Sequence, residues 1–287
     1  MKYIHTPLSI AISACCMVAI LLTSCQKDEV KEPGIAVALE TECKQDNFSS
    51  ASVFIFDKEG ILRHEQYFDN FYTLASTAFP MSVSNYTVCV VSNVKPDYNV
   101  EAIVGKTTLQ DLRLSPAKPN PVHAHFGLSG IEVVPLDLSL ATVQLYRVLS
   151  ELQLTVTEVP VDVKDVEATV ENSASAMLPA AKALSADKTP VLFGKGEVQN
   201  GHVAYDMIRL MPTAASQDHT LIRLEVLKSN NSTVTAFVEA PVMKNGGVYK
   251  LVVPYSQLRP GEIYILSEIN GWQDLTPVDG EILNPNL

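Results

Sequence analysis

The sequence predicts an all-β protein built from two tandem sandwich domains. Its apolar runs are short, rich in Val, Ile, Leu, Thr, Phe and Tyr, and separated by turn residues. A spacing of about a dozen residues between such runs is typical of sandwiches and barrels. The chain has 287 residues, and removal of a predicted 24-residue leader leaves 263. That length is enough for two domains of ordinary size.

The first strands can be placed from periodicity and turn residues. Residues 35–42 alternate, so that Ile35, Val37 and Leu39 could face one side of a strand. Residues 52–57 are apolar on both faces, as a central strand is, and a tight turn containing glycine follows them. Residues 61–68 supply the return strand, and residues 86–92 supply another core strand. These patterns predict an N-terminal β-sandwich over residues 35–145.

The second half repeats this style and predicts a C-terminal β-sandwich over residues 146–287. Residues 143–157 change from a run that could be helical into clean alternation. Residues 107–113 could form one short helix, and residues 173–188 are small, polar and Pro-containing, which indicates a long loop. Further candidate strands lie at 165–171, 189–194, 202–211, 219–227, 233–240, 247–254 and 262–269.

The N-terminus has the pattern of a secretory signal. Lys2 is the only Lys or Arg before Cys25, and residues 8–22 are nearly all apolar or small. The run ends in Leu22-Thr23-Ser24-Cys25, which resembles the lipobox of bacterial lipoproteins. In lipoproteins of that kind the cysteine is acylated, and the signal is cut just before it. Stable membrane attachment takes two or more acyl chains, which a triacylated Cys25 would supply.

We therefore predict a signal peptide over residues 1–24, cleavage between Ser24 and Cys25, and a lipidated tether over residues 25–34. The alternative is an ordinary secretory signal with an incidental cysteine. The charged run Gln26–Glu29 resembles a surface-export signal of Bacteroidetes lipoproteins, although it could also be a plain solvated tether. The expected location is the cell outer membrane, with a lipid anchor and the body exposed on the surface.

Charge and cysteine content limit the partners and the chemistry. The formal charge is −11, and loss of Lys2 with the signal makes it −12. Such an acidic chain disfavours nucleic acid as a partner. After the signal is removed and Cys25 is acylated, Cys43 and Cys89 remain. In an oxidising compartment they could form a disulfide, or they could be two buried thiols.

Segments along most of the mature chain resemble the FimB-type fimbrial anchor and accessory lipoproteins of Bacteroidetes, which are relatives of the fimbrillins. The similar segments are residues 53–62, with Phe-Asp and a turn glycine, and residues 86–93, a strand that ends in Asn. Leu145-Tyr146-Arg147 resembles the family's segment between its two domains, and residues 249–253 and 269–272 resemble its last strands.

The resemblance implies two transthyretin-like β-sandwiches and an anchor or accessory role in a surface fimbrium. It also implies fimbrial subunits as partners, joined by donor-strand exchange, with the outer membrane contacted through the acyl chains. Stalk subunits of such fimbriae are cut after an arginine, which removes a strand and opens a groove. Arg63 follows the second predicted strand and could mark such a cut, or it could be an ordinary exposed arginine in a strand.

No set of residues predicts an enzyme, a metal site or a cofactor. His123 and His125 would share one face of a strand, but no nearby carboxylate or cysteine completes a site. Trp272 is the only tryptophan, and it could stack on a sugar or belong to the core. The alternative function is therefore a surface glycan-binding lipoprotein.

Overall fold

The computed structural model describes residues 34–41, 50–82, 84–117, 128–134, 140–265 and 272–274. Their regular secondary structure is almost entirely β-strand, which confirms the predicted all-β fold. The one α-helix among them is α1 (Phe71–Ala75). The strands of the N-terminal half are β1 (Gly34–Thr41), β2 (Ala51–Phe56), β3 (Leu62–Phe68), β4 (Ala78–Pro80), β5 (Tyr86–Ser92), β6 (Tyr98–Val100), β7 (Leu114–Pro116), β8 (Leu128–Val134) and β9 (Leu140–Arg147).

Seven of these strands form one sheet in the order β3-β2-β5-β8-β9-β1-β4. Strand β9 joins its two parts, because residues Leu140–Leu145 pair in parallel with β1 whereas Tyr146 and Arg147 pair with β8. Side chains of β2, β3 and β5 pack against those of β1, β4 and β9 in one buried cluster. The sheet therefore folds back on itself to enclose a sandwich core. Its central members are Ile35, Val53, Ile55, Phe79, Val88, Val90, Val143 and Leu145.

The C-terminal half has two five-stranded sheets. Its strands are β10 (Ser150–Thr157), β11 (Val163–Ala174), β12 (Met177–Leu178), β13 (Ala183–Leu184), β14 (Lys188–Glu197), β15 (Val203–Ala204), β16 (Ile208–Leu210), β17 (Thr220–Lys228), β18 (Thr233–Ala240), β19 (Val248–Pro254), β20 (Ile263–Ile265) and β21 (Trp272–Asp274). Two 3₁₀ turns, Pro179–Ala181 and Tyr255–Gln257, complete it.

The two sheets of this half enclose a second sandwich core. One sheet runs β15-β10-β19-β21, with β16 also paired to β10, and the other runs β14-β11-β17-β18-β20. The inward residues alternate along β10, where Leu152, Leu154 and Val156 are fully buried. They pack on the alternate residues Ile222, Leu224 and Val226 of β17. Alternation of buried and exposed positions is what a strand with one face in a core requires.

The two halves share a third buried cluster. It covers the outer faces of β2 and β5 and includes Phe54, Phe56 and Leu112 from the N-terminal half, with Met177 and Met211 from the C-terminal half. A small sheet in the order β13-β12-β7-β6 also draws strands from both halves. The cluster and the small sheet therefore hold the two halves together.

Two local expectations from the sequence are wrong. Residues 173–188, predicted as a loop, contain the end of β11, the strands β12 and β13, and a 3₁₀ turn. Residues 107–113, predicted as a helix, form a bridge and a turn, because the Thr107 carbonyl accepts a hydrogen bond from Leu62 in β3. The first part of residues 143–157, which could be helical, lies in β9 up to Arg147, and Val148 and Leu149 connect it to β10. The predicted domain boundary at 145/146 falls two residues before the end of β9.

Candidate functional site

Several predicted site residues lie outside the residues that the structure describes. These are Ser24, Cys25, Cys43, His123 and His125. The lipid attachment, the cleavage site and the histidine pair therefore stay predictions. Trp272 begins β21, which pairs with β19 through the register Leu251–Trp272. This gives the position of its backbone alone, so the choice between a core and a sugar-stacking role stays open.

Strand β1 is the element next to the predicted tether, and it is built into the N-terminal sheet. Residues Ala36–Thr41 pair in parallel with Leu140–Leu145 of β9, in six registered pairs. Ile35, near the start of the strand, is buried in the sandwich core. A strand held by such a ladder and by core packing is a firm attachment for whatever precedes it in the chain.

The other side of β1 is only partly covered by a strand. Strand β4 pairs antiparallel with Gly34–Ala36 and reaches no further. Among the strands that the structure describes, none pairs with Val37–Thr41 on this side. Unpaired backbone N–H and C=O groups at a sheet edge are a template for pairing with another chain. This stretch of β1 is therefore the candidate strand-pairing site.

Helix α1 lies beside this stretch. The chain runs from α1 into β4 antiparallel to β1, and α1 packs against β1. The helix has only five residues and begins at Asn70, whose side-chain oxygen accepts hydrogen bonds from the Thr73 amide and hydroxyl, both at 2.9 Å. Leu74 is its one fully buried side chain, whereas Tyr72 is 90% exposed. The edge of β1 is thus covered by a single short helical turn.

Phe79 fixes β4 in place at the far end of the sheet. It is buried, and its ring meets the ring of Phe68 edge-on, with 6.0 Å between centroids. It also meets the ring of His64, with 5.2 Å between centroids. Both partners lie on β3, the strand at the opposite end of the sheet order. These contacts close the sandwich and hold the strand that flanks β1.

The opposite edge, β3, is protected by charge. Its outward positions carry Arg63 and Glu65, and Arg63 donates to the Asp57 carboxylate at 2.5 Å. Partial desolvation raises the pKa of Asp57, but hydrogen bonds from the Ile61 amide and from Arg63 outweigh it. The pKa of the carboxyl therefore lies below its usual value. Charged side chains on an edge strand discourage pairing with other chains, so β3 is a poorer acceptor than β1.

Arg63 lies within a strand, although sequence analysis also considered it as a cleavage site. The adjoining residue His64 is in register with Ile55 of β2, so the backbone on both sides of Arg63 belongs to the sheet. A cut there would break the covalent link between β1 and β2 on one side and the rest of the sheet on the other. All six residues of β2 are buried, which makes its release costly.

The edge strand β14 of the C-terminal half is also protected. It pairs with β11 through an irregular register, with shifts between Ala168 and Thr169 and between Val170 and Ser173. It contains Pro190, which lacks a backbone donor, and the exposed Lys195. Proline, lysine and bulges are the usual means by which proteins prevent edge pairing.

Cys89 lies in β5 and belongs to the cluster that the two halves share. Its thiol is completely buried, and burial raises the pKa of the thiol to about 12. Its neighbours Val88 and Val90 belong to the core that contains Ile35, so Cys89 lies on the other face of β5. A disulfide requires the two Cα atoms within about 7 Å, so Cys43 would have to reach this buried face. The pairing stays a prediction.

No helix in the described part of the chain has the length and apolarity needed to cross a membrane. Within the same residues, no three His, Cys, Asp or Glu side chains are grouped in a way that could hold a metal ion.

Comparisons with known proteins give the family. A family model described as the fimbrillin-A associated anchor proteins Mfa1 and Mfa2 matches residues 39–274. Among solved structures, the fimbrial anchor protein Mfa2 from Porphyromonas gingivalis is similar, with a TM-score of 0.50 and 16% identity over 76% of this chain and 90% of that one.

Two Bacteroides structures share the fold as well. A B. thetaiotaomicron protein provisionally described as polysaccharide-binding gives a TM-score of 0.58 and 13% identity, over 83% of this chain and 100% of that one. A B. eggerthii protein provisionally described as a cell adhesion protein gives 0.54 and 12%, over 84% and 94%. No curated protein matches the chain.

The family model covers most of the chain and confirms the resemblance found in the sequence. It supports a role associated with fimbriae, at the cell surface or in the envelope. The chain belongs to the fimbrillin-A associated anchor proteins, a family of structural proteins of fimbriae and adhesins and not of enzymes.

Proposed function

We propose that this protein is an outer-membrane lipoprotein, anchored through Cys25, that serves as the anchor or accessory subunit of a surface fimbrium and joins a fimbrial subunit by strand exchange. The observation that carries the proposal is the position of β1. This strand directly follows the predicted tether, pairs with β9 over six residues, and has a side that β4 covers over three residues only. One strand thus links the lipid end of the chain to a sheet edge that can accept a partner.

The tether sets the distance between membrane and body. Eight residues separate Cys25 from Gly34, where β1 begins. An extended chain spans at most about 3.5 Å per residue, so Gly34 lies within about 30 Å of the acylated residue. An anchor with this reach keeps the folded body close to the outer membrane.

The sequence between β1 and β2 supports retention of β1. Residues 42–50 contain Lys44 and no arginine, whereas stalk subunits of fimbriae like these are cut after an arginine. Cleavage between β1 and β2 would leave the body attached to its lipid through non-covalent contacts alone. An anchor that keeps β1 keeps a covalent connection from the acyl chains to the sandwich core.

Replacement of the acylated residue tests the proposal. In Cys25→Ala cells we expect the protein to leave the outer-membrane fraction and fimbriae to be shed into the medium, because the acyl chains are the proposed attachment. Cys43→Ala is the matched control and should leave the membrane fraction and the fimbriae unchanged. Normal retention of both protein and fimbriae in Cys25→Ala cells would disprove the anchor role.

A second candidate function is glycan binding. The similar B. thetaiotaomicron protein is provisionally described as polysaccharide-binding, and this chain has an open cavity of about 430 Å³ near the turn between β2 and β3. Its polar lining includes Asp57, Asn85, Thr87 and Gln110, side chains able to hydrogen-bond with sugar hydroxyls. Calorimetric titration with a panel of surface polysaccharides tests this function. Binding that is lost in Asn85→Ala and Gln110→Ala would support it, and the absence of binding to any polysaccharide would exclude it.

A further inference from the structure

We infer that α1 is a displaceable cover of the β1 edge, and that an extended segment of a fimbrial subunit takes its place beside Val37–Thr41. The inference rests on the proposed function and adds the position of the partner strand. Its first observation is the end of β4, which stops opposite Ala36. The chain that leads into this end of β4 comes from α1, and α1 contacts β1.

The helix is weakly held for an element that covers a sheet edge. Its i to i−4 hydrogen bonds include a long one from the Leu74 amide to the Asn70 carbonyl, at 3.5 Å, and one from the Ser76 amide to the Tyr72 carbonyl, at 3.1 Å. Isolated helices of fewer than about 12 residues are marginal in water. Its stability therefore depends on the Asn70 cap, on the burial of Leu74 and on the packing of Phe71 against the same core.

The surface of the helix also suits a protein partner. Tyr72 is 90% exposed, on the turn that flanks the β1 edge. Exposed tyrosines next to a binding edge are frequent sources of interface energy, because a large ring is buried at little entropic cost. Val37–Thr41 offers five residues of backbone, close to the usual length of a strand. The occupant that satisfies such an edge is an extended strand, through ladder hydrogen bonds.

Hydrogen exchange on the mature lipoprotein tests the inference. The probe is the stalk subunit obtained by dissociating fimbriae sheared from cells of the same strain. On binding, we expect the amides of residues 37–41 to exchange more slowly and those of residues 71–75 to exchange faster. Binding that leaves residues 71–75 unchanged, or that protects β3 or β14 instead, would overturn the inference and leave the proposed function standing. No binding would overturn both.

Variants of the helix give an independent readout. The apparent dissociation constant falls as the fraction of molecules with an open edge rises. Leu74→Ala should therefore bind the stalk subunit about tenfold more tightly, and the milder Asn70→Ala about threefold. Asn230→Ala is the matched control, since the Asn230 side chain also accepts hydrogen bonds from a nearby amide and hydroxyl, those of Ser232.

The two variants also guard against a loss of fold. Leu74 belongs to the sandwich core, so its truncation could unfold the protein, whereas Asn70 acts through its cap alone. Circular dichroism and thermal melting identify an unfolded variant. If folded Asn70→Ala binds no more tightly than Asn230→Ala, the helix is not a cover and the inference is wrong.

Discussion

Truncation of Phe79 to alanine tests whether β4 is held against the sandwich as the structure indicates. The ring is buried, and it contacts Phe68 and His64 edge-on from the other end of the sheet order. Removing a buried phenylalanine costs about 3–5 kcal/mol, which includes the cavity that it leaves. Each lost edge-on contact accounts for about 0.5–1.5 kcal/mol of such a change.

The expected loss is a substantial fraction of the stability of a domain, which is about 5–15 kcal/mol. With a urea dependence of about 3 kcal/mol per molar, it corresponds to a fall of about 1–2 M in the urea midpoint. Phe79→Leu should retain most of the burial and cost about 1–1.5 kcal/mol. Because β4 flanks β1, the amides of Gly34–Ala36 should also exchange faster in Phe79→Ala.

Urea unfolding followed by circular dichroism measures the first effect, and hydrogen exchange measures the second. Tyr72→Ala is the control, because its side chain is 90% exposed and its removal should change the stability by less than about 0.5 kcal/mol. If Phe79→Ala cost less than about 1 kcal/mol, or left β1 exchange unchanged, the ring would not be what holds β4.

Three further predictions follow from buried and charged groups. N-ethylmaleimide should leave Cys89 unmodified in the native protein and react with it after denaturation and reduction, because burial raises the pKa of the thiol to about 12; rapid native labelling would contradict this. Asp57→Asn should destabilise the protein by about 0.5–1 kcal/mol at pH 7. The difference from wild type should vanish as the pH falls through the lowered pKa of Asp57, since the stability is lost when the carboxylate is protonated; a difference that persists in acid would refute the ion pair. Met177→Ala should lower the free energy of unfolding by about 2–4 kcal/mol. It should also speed amide exchange in β5 as well as in β12, because both strands contribute to the cluster that the two halves share. Faster exchange in β12 alone would show that the halves are not coupled.

The strands with strong local patterns could be predicted from the sequence. Residues 86–92 and 233–240 have the predicted bounds. In β18 the buried residues Ala236, Val238 and Ala240 alternate with half-buried ones, whereas β5 is buried almost throughout. Either pattern is explicit in the order of residues, because side chains in a strand alternate between its faces.

Elements that depend on distant parts of the chain were missed. Strand β12 exists because Met177 pairs with Leu114 of β7, and nothing in the small, polar residues around Met177 indicates that partner. Residues 107–113 have a helical composition, but hydrogen bonds to β3 hold them as a turn. Local propensity is a weak prior that tertiary contacts override.

The candidate site was missed for a related reason. Phe71–Ala75 is rich in aromatic and β-branched residues, which favour strands. The one signal for a helix was Asn70, a good N-cap residue, but a helix of five residues has too little periodicity to be recognised. The sequence did place a strand at residues 35–42. That β1 lies between β9 and a three-residue partner is a fact of topology that only the folded chain provides.

The position of β1 gives a physical reason why the proposed anchor would keep its first strand. If the chain is tethered through Cys25 as proposed, force on a fimbrium would reach the membrane through Gly34, the residue at which the chain enters β1. Tension along the strand axis loads the six pairs with β9 and the three with β4 together, so that many hydrogen bonds must fail at once. If the chain is acylated as proposed, a cut between β1 and β2 would leave the body attached to its lipid only through that ladder, and this is why we expect the chain between β1 and β2 to stay intact.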